Sequence, residues 1–267
     1  MKRLTLLLVL FSVTSSATAA GVVIRAADKV VLEGISLHKQ NYVLPATYRS
    51  GQGGADQSEL IFQLSVKMQA LIPDLYLAYT QTSFWNFLDT DNSSPFRETN
   101  YNPEIFYHIT PEKNRYGNWG AYAGFEHVSN GRTLPLSRSW DRLYLWPYWD
   151  SNHGEYSLKL WARRPESRKD DAQDSDGDDN PDIYRYLGYA EFYFYRQKRK
   201  GQAFSGMLRG NPSTGNGAIQ LDYSWPLNTN SVTKNTHFFT RIFSGYGETL
   251  IDYDNYVTRF SIGLEFR

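Results

Sequence analysis

Residues 59–70 read ELIFQLSVKMQA and put Leu60, Phe62, Leu64, Val66, Met68 and Ala70 at every second position, with Glu59, Gln63, Ser65, Lys67 and Gln69 between them. A β-strand turns successive side chains to opposite faces, so this period of two predicts a strand with one apolar side. The pattern returns in 157–163, where Leu158, Leu160 and Ala162 alternate with Ser157, Lys159 and Arg163. It returns again in 219–225 and in the closing stretch 260–266. About twelve such segments follow one another, each of roughly 9–11 residues, the length that spans a bilayer when tilted. They begin near residues 41, 57, 74, 101, 118, 139, 155, 184, 202, 217, 235 and 257. Short connections near Pro73-Asp74, 112–117, 150–154, 197–201 and 226–233 alternate with longer ones at 88–100, 130–138, 165–183 and 245–256. That parity predicts an all-β fold, a transmembrane antiparallel β-barrel of 12 strands with short turns on one rim and long loops on the other. A soluble β-sandwich gives loop length no reason to follow parity. Closure also satisfies every strand edge, as lipid requires. No internal repeat or linker interrupts 41–267, so one barrel domain is expected, preceded by an N-terminal segment over 21–40.

The first 20 residues stand apart. Lys2 and Arg3 precede the apolar run Leu4–Val13, and Ala17-Thr18-Ala19 follows with small residues. This order predicts a secretory signal peptide cut after Ala19 or Ala20, hence an exported protein. An exported chain can use disulfides, yet this one has no cysteine, so burial and backbone pairing must hold it together. Its 28 basic and 28 acidic residues balance, which leaves no global field to draw nucleic acid. Aromatic residues reach 16%, with 20 Tyr, 15 Phe and 7 Trp, in keeping with the girdles of an outer-membrane barrel. The polar face of the strands is expected to fill a narrow lumen with hydrogen-bonded side chains rather than to line a channel.

Candidate chemistry lies in 123–146, AGFEHVSNGRTLPLSRSWDRLYLW. Alternation puts Ala121, Ala123, Phe125, His127 and Ser129 on the apolar, outward face, and Asp141 shares a face with Leu143 and Leu145. Two strand steps separate His127 from Ser129 by about 6.6–7 Å along the backbone. An imidazole leaning along the strand can serve the serine, and Asp141 across the hairpin can hold the other ring nitrogen, giving nucleophile, base and orienter. Polar groups in a lipid-facing band cost free energy, so three together need a reason. The bland reading is a Ser-Asn-Gly turn beside an interfacial histidine, because H-x-S alone is a weak pattern.

HVSNGR followed by SRSWDRLY resembles the active-site signature of the outer-membrane phospholipase A family. Similar stretches are YTQTSFWNF (79–87), SSPFRETNYNPEIF (93–106), DDNPDIYRYLGY (178–189) and SGYGETLIDY (244–253), in family order. The resemblance implies a twelve-stranded barrel that hydrolyses the 1- and 2-acyl esters of phospholipids and lysophospholipids in the bacterial outer membrane. It assigns the nucleophile to Ser129, the base to His127 and the orienter to Asp141, where the family usually has Asn. Arg138 or Arg142 is expected to offset the aspartate's charge. The resemblance further implies a Ca²⁺ cofactor held by the Arg132 carbonyl, the Ser137 hydroxyl and Ser93 of the partner subunit. Gly131 would supply the oxyanion N–H, and Gln81 a dimer contact across the lipid-facing belt. Activity is then expected of a homodimer. Within DAQDSDGDDNPD (171–182), Asp178, Asp179 and Asp182 form a candidate second calcium site, since dense carboxylates around a glycine suit that ion. The alternative to a phospholipase is a non-catalytic, porin-like or structural barrel.

Overall fold

A computed structural model describes residues 30–32, 34–50, 58–114, 117–169, 171, 177–227 and 235–267, so the expected signal peptide lies outside the described residues. Two short strands, β1 (Val30–Leu32) and β2 (Ile35–Leu37), precede β3 (Asn41–Arg49), β4 (Leu60–Gln69), β5 (Leu75–Trp85), β6 (Phe96–Asn114) and β7 (Gly117–Ser129). There follow β8 (Ser139–Ser151), β9 (Gly154–Arg164), the single-turn helix α1 (Tyr184–Leu187), β10 (Ala190–Gln197), β11 (Ala203–Gly210), β12 (Gly217–Pro226), β13 (Thr236–Gly245) and β14 (Val257–Phe266). Strands β3 to β14 pair antiparallel in chain order, and β14 returns to β3, closing the 12-strand barrel that the alternation predicts.

The expected strand starts hold within a few residues, with three differences. β6 begins at Phe96 because Phe96 already pairs with Trp85, which shortens the preceding loop. The segment expected as a strand from 184 opens instead with α1, and β10 starts at Ala190. Gly188 ends that turn at φ 69°, where an added Cβ would meet the Gly210 carbonyl oxygen at 2.2 Å. The segment before residue 41 also joins the sheet. β2 pairs with β4 through Ile35↔Met68, and β3 takes up the same strand through Tyr42↔Gln63, so one edge of β4 is covered by two pieces in series.

The pleat sorts the side chains as expected. Leu64, Val66, Met68, Leu143, Leu145, Leu158 and Leu160 are exposed on the outer wall. Trp119 stacks on Trp149 and Trp149 on Tyr156 at the short-turn rim, part of an aromatic girdle. The alternate positions are buried and largely charged. Glu104 takes Lys39, His38 at 3.2 Å and the Tyr144 hydroxyl at 3.1 Å. Glu126 faces Arg142 at 3.0 Å and Lys159 at 2.8 Å. Arg241 holds Asp222 at 2.8 Å, and Arg259 joins Glu59 and Glu248, each at 2.7 Å. Burying one of these charges alone would cost several kcal/mol, roughly, so their pairing is what makes the interior tolerable. An inward cluster of Tyr122, Tyr144, Trp146, Tyr148 and Trp161, which the polar reading of the lumen omitted, fills the space behind β7–β9. A cavity of about 300 Å³ remains at the centre.

Candidate active site

The long-loop end of the β7–β8 hairpin carries the residues singled out by sequence. Register pairs His127 with Asp141 and Ser129 with Ser139. Their chain neighbours Glu126, Asn130, Trp140 and Arg142 are buried, and Val128 packs on the inner aromatic cluster. His127, Ser129 and Asp141 therefore occupy the outer face, and the His127 side chain is 41% exposed. His127 Nδ1 lies 2.7 Å from Asp141 Oδ1. With Nδ1–H donated to the carboxylate, Nε2 carries the lone pair of a general base. Ser129 stands on the same face one register row nearer the loop, and no hydrogen bond joins it to His127 among the described residues. Such bonds are often long before substrate binds. The structure thus joins His127 to Asp141 and leaves Ser129 on the same face one register row away.

Arg142 does not offset Asp141, because it points into the lumen at Glu126, and Arg138 turns to the carbonyls of Pro135 and Ser137. The cation beside Asp141 is Arg164, paired with it across β8–β9, with Nη1 3.7 Å from Oδ2 and a side chain 71% exposed. Outside the strands, burial and then Asp178 push the Glu166 carboxyl above its ordinary range, against the opposing pull of Arg163.

The loop after Ser129 is built around Asn130, which sequence reasoning missed although it lies inside the quoted motif. Its Oδ1 accepts from the Arg132 and Arg138 N–H groups at 3.2 and 3.0 Å, and its Nδ2 donates to the Leu136 carbonyl at 2.8 Å. Arg132 then reaches the Phe96 and Arg97 carbonyls at 2.7 and 2.6 Å. Gly131 sits at φ 60°, and a Cβ there would lie 2.9 Å from the Tyr101 ring, so no other residue fits without displacing that ring. Asn180, also missed, is fully buried and accepts from the Ser139 N–H at 3.0 Å, pinning the start of β8 opposite Ser129.

Ser93 projects from the β5–β6 loop at φ 62°, followed by Ser94 at φ 48°. Two successive left-handed non-glycine residues store strain of order 1–3 kcal/mol each, which the surrounding structure must hold. Here the Ser94 carbonyl takes the Trp85 indole N–H at 2.7 Å, and the Ser94 hydroxyl donates to the Phe87 carbonyl at 3.1 Å. Gln81 lies on the outer face of β5, between Leu64 and Tyr101 in register, accepting from the Tyr79 hydroxyl and donating to Ser83, both at 3.2 Å.

The three loop aspartates have separate partners. Asp178 holds Arg163 at 2.6 Å, Asp179 pairs with Lys169, and Asp182 accepts from the Tyr253 hydroxyl at 2.5 Å. Among the described residues no group of three or more His, Cys, Asp or Glu is arranged to hold a metal ion, so the structure does not bring the second calcium site together. Arginine and lysine neutralise Asp178 and Asp179, and Asp182 is held by a tyrosine hydroxyl.

The family profile of phospholipase A1 matches residues 24–266. Phospholipase A1 of Proteus vulgaris is 36% identical over 220 residues, 79% of this chain and 70% of that protein. Outer membrane phospholipase A of Escherichia coli, solved as an active-site asparagine-to-alanine variant at pH 6.1, superposes with a TM-score of 0.74 at 30% identity, covering 86% of this chain and 91% of the other. The Salmonella typhi outer membrane phospholipase, solved as a dimer with bound calcium, superposes with a TM-score of 0.76 at 28% identity, covering 90% of this chain and 94% of the other.

Proposed function

This chain belongs to the phospholipase A1 family of outer-membrane barrel enzymes, and from that premise we propose that it hydrolyses the 1- and 2-acyl esters of phospholipids and lysophospholipids through Ser129, His127 and Asp141, with Ca²⁺ and as a homodimer. The observation that carries this reading is the 2.7 Å His127–Asp141 contact on the lipid-facing wall. A hydrogen-bonded imidazole–carboxylate pair costs desolvation on such a wall. It is well placed for a substrate that arrives within the plane of the outer leaflet.

In the mechanism, His127 Nε2 takes the proton of Ser129 as Oγ bonds to the ester carbonyl carbon. Asp141 keeps the ring in the required tautomer and faces the imidazolium that forms. The Gly131 N–H, which has no partner among the described residues, stabilises the tetrahedral oxyanion. Collapse breaks the bond to the glycerol oxygen, which receives the proton from His127, and the lysophospholipid leaves. Water then attacks the acyl-enzyme with His127 again as base. The ester breaks at Ser129 Oγ, which is reprotonated, and the fatty acid departs.

The donor set suits calcium, which takes neutral carbonyl and hydroxyl oxygens together with water. The Arg132 carbonyl and the hydroxyls of Ser137 and Ser93 make no hydrogen bond among the described residues, and Ser93, in the strained turn at 93–94, is exposed. Arg132 and Ser137 of one protomer and Ser93 of the partner subunit would hold the ion, with Gln81 at the shared face. When bound, the ion supplies positive charge that favours the oxyanion. The calcium-bound Salmonella dimer supports this arrangement.

Purified protein refolded into detergent should release fatty acid from phospholipid. Ser129→Ala should lower turnover by about a thousandfold or more, and chelator should stop it. No release by the wild-type protein would instead leave a non-catalytic barrel, and release by Ser129→Ala at the wild-type rate would remove Ser129 as the nucleophile.

A further inference from the structure

On the outer wall, β7, β8 and β9 form three register rows below the loop. The first is His127–Asp141–Arg164, the second Phe125–Leu143–Ala162, the third Ala123–Leu145–Leu160. Successive rows on one face lie about 7 Å apart. The small residues Ala123 and Ala162 leave a shallow depression among Leu143, Leu145 and Leu160, and it starts one row below the histidine–aspartate pair. Arg164, the last residue of β9, stands beside its upper end at the level where the strands meet the loops.

Arg164 does little for Asp141. Its 3.7 Å contact is longer than a hydrogen bond, and a pair with one side chain 71% exposed is screened by solvent. Asp141 already has His127 on its other oxygen at 2.7 Å, so it keeps a partner if Arg164 turns away. A guanidinium offers a planar fork of donors that matches a phosphate in two-point fashion, and that of Arg164 has no other hydrogen bond or ion pair among the described residues. A cation at a strand end above an apolar furrow complements a lipid, with phosphate at the interface and acyl chain in the hydrocarbon.

We infer that the β7–β9 face beside the catalytic pair seats one glycerophospholipid, with Arg164 binding its phosphate and the Ala123–Ala162 depression receiving an acyl chain. This deepens the phospholipase reading and rests on it. It places part of substrate selection on a single protomer, and makes Arg164 a determinant of specificity for phosphate-bearing esters.

The test compares phosphatidylcholine with diacylglycerol of the same chains in the same detergent micelles, for wild type, Arg164→Gln, Arg164→Lys and Ala162→Phe. Arg164→Gln should lower the ratio of kcat/KM on phosphatidylcholine to that on diacylglycerol by about tenfold, mainly through KM, and Arg164→Lys should restore part of it. Ala162→Phe adds an apolar ring on the lipid face, which barrels tolerate. It should raise KM more for long-chain than for short-chain phosphatidylcholine. A ratio that stays at the wild-type value overturns the proposal, and so does an equal loss on both substrates, which would mean that Arg164 acts through Asp141. Wild type and Ser129→Ala run alongside separate the two levels, because absence of wild-type turnover sinks the hydrolase reading and turnover surviving in Ser129→Ala sinks its serine mechanism, whatever the ratio shows.

Discussion

Asp141 is where this chain departs from the asparagine that the family resemblance leads one to expect. Both side chains offer a carbonyl-type oxygen to the imidazole Nδ1–H, and only the aspartate brings a charge. In the proposed mechanism that charge would face the imidazolium, and the site bears it because Asp141 sits at the rim between His127 and the solvated Arg164. Asp141→Ala should reduce kcat by about a hundredfold or more, since the ring loses its orienter. Asp141→Asn should retain at least about ten times the activity of the alanine variant. Steady-state rates on phospholipid decide it, and an alanine variant at wild-type speed removes Asp141 from the mechanism. The neighbour of Asp141 was partly legible in the sequence. Alternation already sets Arg142 on the opposite face. That Arg164 comes alongside depends on the β8–β9 register, which a distant turn fixes and no local pattern reveals.

At the scale of the element, the β7–β8 hairpin does two jobs with one alternation. Inward positions from Trp140 to Tyr148 pack an aromatic and charged interior, while outward positions meet lipid and, near the loop, carry the candidate chemistry. Leu145 lies in the middle of β8 and is 45% exposed on that outer wall. Leu145→Arg should therefore destabilise the barrel by about 2–4 kcal/mol in reversible unfolding from phospholipid vesicles, as for cations at mid-bilayer depth. A neutral effect would mean that the wall faces water, and with it would go the argument that the polar trio is anomalous there. The loop between the two strands reads less easily. Asn130 and Asn180 organise it from buried positions, and an asparagine in a polar loop gives no sign in sequence of which backbone groups it will satisfy.

For the whole molecule, closure decides what the elements can do. Twelve strands leave an interior narrow enough for paired charges and aromatic rings to occupy most of it, so substrate has the outer wall as its approach. The proposed dimer adds a second protomer to that wall through Gln81. The chain contains no cysteine, so Gln81→Cys introduces a unique thiol. In calcium it should cross-link to a covalent dimer under mild oxidation, and chelator should suppress both the cross-link and the hydrolysis of the wild-type enzyme. Cross-linking that ignores calcium while activity follows it would separate assembly from the ion.

The chain's own alternation determined which side chains face lipid and which face the lumen, because the pleat turns every second residue to the same side whatever the partner strand. Loop-length parity settled the closed, even-numbered barrel for a similar reason, since successive connections must fall on opposite rims. Which polar groups meet was left to tertiary structure. The pairing of His127 with Asp141 was within reach, because one hairpin sets it. The separate partners of Asp178, Asp179 and Asp182 and the placing of Arg164 beside the site depend on register and packing between different elements. A pattern of period two carries no information about either.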